Sequence, residues 1–178
     1  MHRTYGFSGR NEKEMRNKQK GFSLIELLIV VAIILIIAAI AIPNLIRSKM
    51  AANEASAVAT LRTINTAQVV YSSNYSVATI FAATLNALGD GGTAANCATG
   101  VVPTSANACL IDGAIEAATI APGKSGYILN YPAPAAGYTI NNSPVQPGST
   151  GVRYFFTDQT LVIRYNPAAA ATATDLPI

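Results

Sequence analysis

Between Lys20 and Arg47 the chain runs for twenty-six residues, GFSLIELLIVVAIILIIAAIAIPNLI, with a single charged side chain, Glu26. An α-helix rises about 1.5 Å per residue, so roughly twenty of these residues span the hydrocarbon core of a bilayer. A helix that is apolar on every side must be covered on every side. The remainder of a 178-residue chain is too small to wrap it as a buried core helix. A secretory signal peptide is the stronger rival, since Ala38, Ala39 and Ala41 imitate its small-residue cleavage pattern. Its apolar region, however, covers only about 7–15 residues, and here the run is longer and starts abruptly after Lys20-Gly21. The segment reads as a membrane-spanning helix.

Charge is distributed to match. Residues 1–21 contain Arg3, Arg10, Lys13, Arg16, Lys18 and Lys20 against Glu12 and Glu14, a net of +4. From Phe22 onward, six basic side chains face seven acidic ones, a net of −1. A positive arm before an apolar helix is what inside-positive insertion requires. Nucleic-acid binding needs a basic face on the folded part, and the sequence after the arm supplies none, so no specific nucleic acid is expected as a partner.

Two residues interrupt the apolar pattern. A carboxylate within a bilayer costs roughly 2.5–3.5 kcal/mol on insertion scales, so Glu26 either stays wet near the interface or takes a positive partner. The nearest such partner is the α-amino group of another copy, created by cleavage before Phe22. Pro43 lacks a backbone donor and clashes with the carbonyl of residue 39, so a kink or loosening of the helix is expected there. Neighbouring helices can cover the freed carbonyl.

The segment from Gly21 to about Leu45 closely resembles the N-terminus of type IV prepilins and of the pseudopilins of type II secretion systems. A basic leader ending in glycine, then Phe-Ser-Leu-Ile-Glu, a long aliphatic run and a proline carry the resemblance. It implies that a membrane prepilin peptidase/N-methyltransferase cuts between Gly21 and Phe22 and methylates Phe22. It implies further that Glu26 neutralises the N-terminus of a neighbouring subunit, and that Pro43 lies where the helix extends or melts during assembly. The leader of 21 residues is longer than is usual for the type IVa class. Met15 begins a seven-residue alternative, MRNKQKG, and either start leaves a mature chain of 157 residues.

Five segments follow: the leader (1–21), the transmembrane and assembly helix (22–45), an amphipathic continuation (46–73), a connecting region (74–125), and an antiparallel sheet with a C-terminal tail (126–178). In the continuation, Met50, Val58, Leu61, Ile64 and Tyr71 recur at mainly helical spacing, while Arg47, Lys49, Glu54, Arg62 and Gln68 supply the polar faces. One helix from about Phe22 to Ser73 would measure roughly 80 Å. Within the connecting region, Ser76 to Leu88 is expected as a helix and Gly89–Gly92 as turns. Four strands are expected at 126–131, 137–140, 151–156 and 161–165, with Pro-Ala-Pro-Ala-Ala and Thr-Asp-Gln-Thr connections. Pro167 to Ile178 reads as an irregular surface segment. The fold class is α+β, a type IV pilin fold in which the long helix covers one face of the sheet.

Cys97 and Cys109 close a thirteen-residue loop. In an exported domain they read as a disulfide, whose loop-closure effect is about 3 kcal/mol; two small buried thiols are the alternative. Many pilins bound a C-terminal region with their disulfide, so this placement departs from the family pattern.

Enzyme chemistry finds no support. His2 is the one histidine and lies in the leader, which leaves no triad and no histidine metal site in the mature chain. Asp90, Asp112, Glu116, Asp158 and Asp175 are scattered without the spacing of a calcium loop, and no glycine-rich phosphate motif occurs. Some pseudopilins bind calcium in C-terminal loops, where Asp158 would be the contributor. No cofactor is expected. The resemblance implies a structural subunit of a type IV pilus, held in the inner membrane as precursor and pool, then polymerised as a surface filament. Its partners would be the peptidase, further copies of itself, the inner-membrane assembly platform and minor pilins. A type II secretion pseudopilin, a minor pilin and a membrane-anchored binding domain are the alternatives. Adhesion, motility and DNA uptake are not distinguished by these residues.

Overall fold

The computed structural model describes residues 21–75, 81–132 and 137–178. The leader (1–20), the alternative start at Met15, the first part of the expected Ser76–Leu88 helix and most of the Pro-Ala-Pro-Ala-Ala connection lie outside them. The chain forms two compact units, one running to Ala41 and one from Ile42 to Ile178. A single helix, α1 (Leu24–Tyr75), contributes to both.

In the first unit α1 begins where the sequence turns aliphatic. Ser23, a residue type favoured before a helix, offers its carbonyl to the Leu27 N–H at 3.2 Å. Glu26 stands in the first turn, where a carboxylate complements the helix dipole. The segment is long and apolar enough to cross a membrane. Every large apolar side chain from Phe22 to Ile46 is between 45 % and 81 % exposed. Pro43 lies inside α1 and, lacking an N–H, leaves one helical hydrogen bond unmade.

The second unit is an α+β head. Glu54, Ala57, Leu61, Ile64, Gln68 and Tyr71 recur at steps of three and four residues and form the buried face of α1. Against it lies a five-stranded antiparallel sheet in the order β1 (Tyr127–Asn130), β2 (Thr139–Pro144), β3 (Tyr154–Asp158), β4 (Arg164–Asn166) and β5 (Leu176–Pro177). Register pairs Leu129 with Asn142, Asn142 with Phe155, and Phe155 with Tyr165. Alternation puts Tyr127, Leu129, Ile140 and Phe155 on one face, where they meet Leu61 and Ile64 in a single core. The other face needs no second layer, as is common in antiparallel sheets.

Three features differ from the sequence expectation. The sheet has five strands rather than about four, because the tail folds back: the Asp175 carboxylate accepts bonds from the Thr172 N–H and the Asn166 amide, and Arg164 Nη1 donates to the Asp175 carbonyl. Leu176 then pairs with Tyr165. Of the helix expected over 76–88, the described part from Phe81 is helical only in α2 (Leu85–Leu88). The Ala82 N–H is taken by Gln68 Oε1 at 3.0 Å, and the Thr84 hydroxyl caps α2 at the Ala87 N–H. Third, Glu54 and Gln68 belong to the buried face of α1 rather than to its polar side.

Each inward polar residue has partners on the sheet or the connecting region. Glu54 Oε2 receives Arg153 Nε at 2.7 Å, and Oε1 accepts the backbone N–H groups of Val152 and Arg153 at 2.9 and 3.2 Å. Asn65 accepts from the Tyr138 hydroxyl at 2.9 Å and donates to Thr157 Oγ1 at 2.9 Å. Gln68 bonds Tyr131 and both backbone polar groups of Ala82. The connecting region adds α3 (Gly113–Glu116), capped by Asp112 at the Ile115 N–H. The Cys97–Cys109 disulfide is formed, with Cα atoms 5.7 Å apart.

Truncating Leu61 to Ala empties the centre of this core and should cost about 3 kcal/mol, within the range for buried leucines. Val69→Ala, on the exposed side of the same helix, should cost under about 1 kcal/mol; urea unfolding of the full chain in neutral detergent measures both. Burial opposes charge on Glu54, but the two N–H donors and the Arg153 guanidinium outweigh it and hold its pKa below the ordinary value. Its stabilising effect is therefore present above about pH 4.5 and disappears as pH falls through the lowered folded-state value. Glu54→Gln should cost about 1–2 kcal/mol at pH 7, moderated by the solvent-exposed side of Arg153. The gap between wild type and variant should narrow below about pH 4.5 and close as pH falls through the lowered folded-state value; a gap independent of pH would show that the carboxylate charge is not what anchors the helix.

Candidate functional site

The residues singled out by the sequence fall into two places. Gly21, Phe22 and Glu26 lie together at the N-terminal end of α1, with Pro43 five turns along the same helix. Phe22 is 78 % exposed, and no described side chain covers the backbone between it and Gly21. Glu26 is exposed and makes no ion pair with any described residue. Within an otherwise aliphatic surface, a carboxylate is tolerated only at a wet interface or beside a cation. The arrangement can present a hydrophobic rod with one negative charge near its tip.

Cys97 and Cys109 form the second place, in the connecting region of the head. The Cys109 N–H donates to the Gly89 carbonyl at 3.0 Å, while Ala108 and Leu110 pair with the backbone of Ala87 and Leu88 at 2.9 and 2.7 Å. The disulfide thus staples a loop onto the C-terminal end of α2.

Sequence reasoning missed several polar residues that the fold brings together. Glu54 and Arg153 are 99 residues apart, and Asn65 and Thr157 are 92 apart. The one available signal was that Glu54 and Gln68 are in phase with Leu61 and Ile64 on the helix. Asp90 and Glu116 also converge: the Asp90 N–H donates to Glu116 Oε2 at 3.0 Å. Burial, together with the nearby Asp90 carboxylate, raises the pKa of Glu116 above the usual carboxylate value, despite that N–H.

Asp158 serves its own turn, accepting the Thr160 N–H at 2.9 Å. The tyrosines are mainly structural. Tyr127 and Tyr138 are fully buried, and burial raises both hydroxyls above their ordinary pKa. Burial pushes Tyr131 up to about 12, against a lowering hydrogen bond from Gln68. Tyr127 donates to the Arg153 carbonyl at 2.9 Å, and Tyr71 to that of Ser105 at 2.8 Å. Among the described residues no three His, Cys, Asp or Glu side chains converge as a metal cluster.

Comparison with known proteins agrees with this geometry. Residues 16–42 match the family model described as the prokaryotic N-terminal methylation motif. The chain is 44 % identical over 100 residues to the type IV wide pilus major component PilA4 of Thermus thermophilus, covering 56 % of this chain and 76 % of that protein. It is 51 % identical over 51 residues to the type IV major pilin protein PilA of Myxococcus xanthus, covering 29 % of this chain and 23 % of that one. No solved structure gives a significant match. An exposed apolar helix ending in a methylation motif, an antiparallel sheet packed on the continuation of that helix, and a likeness that reaches past the motif into the head have one common explanation: the chain belongs to the type IV pilin superfamily.

Proposed function

We propose that this protein is a structural subunit of a type IV pilus, cleaved between Gly21 and Phe22, methylated at Phe22 and polymerised through α1. The observation that carries the reading is the match to PilA4, a major pilus component, across 76 % of its length. A match limited to the methylation motif would serve a pseudopilin or a minor pilin equally well; one that extends beyond it favours a major pilin.

The physical logic is that of an insoluble surface with two acceptable environments. In the inner membrane, lipid covers the aliphatic side chains of residues 22–45. In a filament, the same side chains from other copies cover them. The head gives every subunit a folded exterior, and an open helical polymer requires head-to-tail contacts between two different patches. Glu26 gives the transfer its register. Its carboxylate pairs with the cationic N-terminus of Phe22 in a neighbouring subunit, which neutralises both charges where water is excluded. The peptidase, the assembly platform and minor pilins are the partners this route requires, and neither a cofactor nor an enzymatic step by this chain enters it.

Filaments sheared from cells should contain the wild-type protein as their main component. Glu26→Ala should leave cleavage and methylation intact, as read by the mass of the membrane pool. It should reduce the protein in the sheared fraction about tenfold or more, as expected when one partner of a buried ion pair is removed. A normal sheared fraction from the variant would remove Glu26 from assembly. Wild-type protein that is processed yet confined to the envelope would replace the pilus reading with the pseudopilin one.

A further inference from the structure

Twenty uncharged residues, 27–46, separate Glu26 from the next charged side chain, Arg47, and Lys49 follows two positions later. About twenty helical residues cross the hydrocarbon core of a bilayer. A membrane-spanning segment of that length, with Glu26 among the headgroups of one leaflet, brings Arg47 and Lys49 to the headgroups of the other.

Both cations stand clear of the head. They are exposed, and the first buried residue of α1 is Glu54. Neither makes an ion pair with a described residue, and no acid lies three or four positions from either along the helix. Glu54 itself is committed to Arg153 Nε at 2.7 Å and to the backbone N–H groups of Val152 and Arg153. Their placement also runs against the rule that orients membrane helices. Lysine and arginine are favoured on the cytoplasmic side, where residues 1–21 already supply a net charge of +4. Arg47 and Lys49 fall at the opposite end of the apolar run and weaken the charge difference across it. Orientation gains nothing from them, so their use lies in what surrounds them at that level.

We infer that Arg47 and Lys49 form a girdle that binds the phosphates of anionic phospholipids in the outer leaflet of the membrane holding the subunit pool. Two residues apart, they point roughly 200° from each other around the helix, so each takes a different lipid. The planar guanidinium of Arg47 matches two phosphate oxygens at once, while Lys49 binds as a point charge. Their aliphatic stems can lie along the apolar surface below while the charged groups stay among the headgroups. The two contacts fix the depth of the helix. Sinking would draw both cations into hydrocarbon, and rising would expose Leu45 and Ile46 to water. The inference rests on the membrane-held state of the proposed pathway and not on the filament.

The test uses the full chain reconstituted in mixed phosphatidylcholine–phosphatidylglycerol vesicles. Electron spin resonance of spin-labelled forms of the two lipids reads the ratio of their association constants for the protein. Wild type should select phosphatidylglycerol, and replacing both cations, Arg47→Gln with Lys49→Gln, should lower the ratio about threefold or more. Each single substitution should lower it by a smaller factor. Arg62→Gln removes the same charge about 22 Å further along α1, beyond a Debye length at physiological salt, and should leave the ratio unchanged. The leader is the same in every variant, so its own attraction for anionic lipid cancels. Equal ratios for wild type and the double variant, in protein that resists alkaline extraction, would overturn the inference and leave the two cations to an acid of a second copy. An equal fall with Arg62→Gln would also overturn it, since that is a diffuse charge effect without a girdle. Wild-type protein released from the vesicles by alkaline carbonate would overturn the membrane-held state, and the inference with it.

Discussion

Uncovered apolar surface on the first half of α1 is the constraint from which the other properties of this chain follow. From Phe22 to Ile46 seventeen large apolar side chains are exposed, against one carboxylate. Exposed patches of this extent mark membrane or protein contacts. Lipid can satisfy the segment, and so can copies of itself. Glu26 limits how freely it does either, because its charge is tolerable only at a wet interface or beside a cation. The proposed pilus subunit would need such a surface twice, once in a membrane and once in a polymer.

The head solves a different problem. The buried side of α1 includes alanines and threonine beside Leu61 and Ile64, so apolar packing alone would leave its sliding on the sheet weakly opposed. Glu54, Asn65 and Gln68 supply that resistance. Each reaches a partner at least 14 residues away in the chain: Arg153 on the approach to β3, Thr157 within β3 and Ala82 in the connecting region. A slip of the helix by one turn would leave all three buried without partners, a cost of several kcal/mol together. Hydrophobic burial supplies the driving force, and these three residues set the register.

Much of this was legible in the sequence, for reasons that differ by region. The apolar run, the basic arm before it and the Gly-Phe-Ser-Leu-Ile-Glu motif are local patterns, so the N-terminal helix and the family resemblance could be read directly. The first four strands were placed by alternation and turn residues, although β2 extends to Pro144 and β3 to Asp158. What failed was nonlocal. Glu54 looked like a solvent-facing acid because its partner, Arg153, lies across the fold. The tail looked irregular because β5 depends on the bonds of Asp175 to Thr172 and Asn166, not on strand propensity. In the described part of the helix expected over 76–88, the Gln68 side chain takes the Ala82 N–H and helix forms only from Leu85. Asp90 and Glu116 appeared scattered because only the packing of α2 and α3 brings them together.

Intact mass spectrometry, without reduction, of protein sheared from the cell surface tests the central claim most directly. The account predicts a 157-residue chain that begins at Phe22, one methyl group heavier than the bare cleavage product and two hydrogens lighter than its reduced form. A chain that retains residues before Phe22, recovered from membranes and absent from the sheared material, would contradict it.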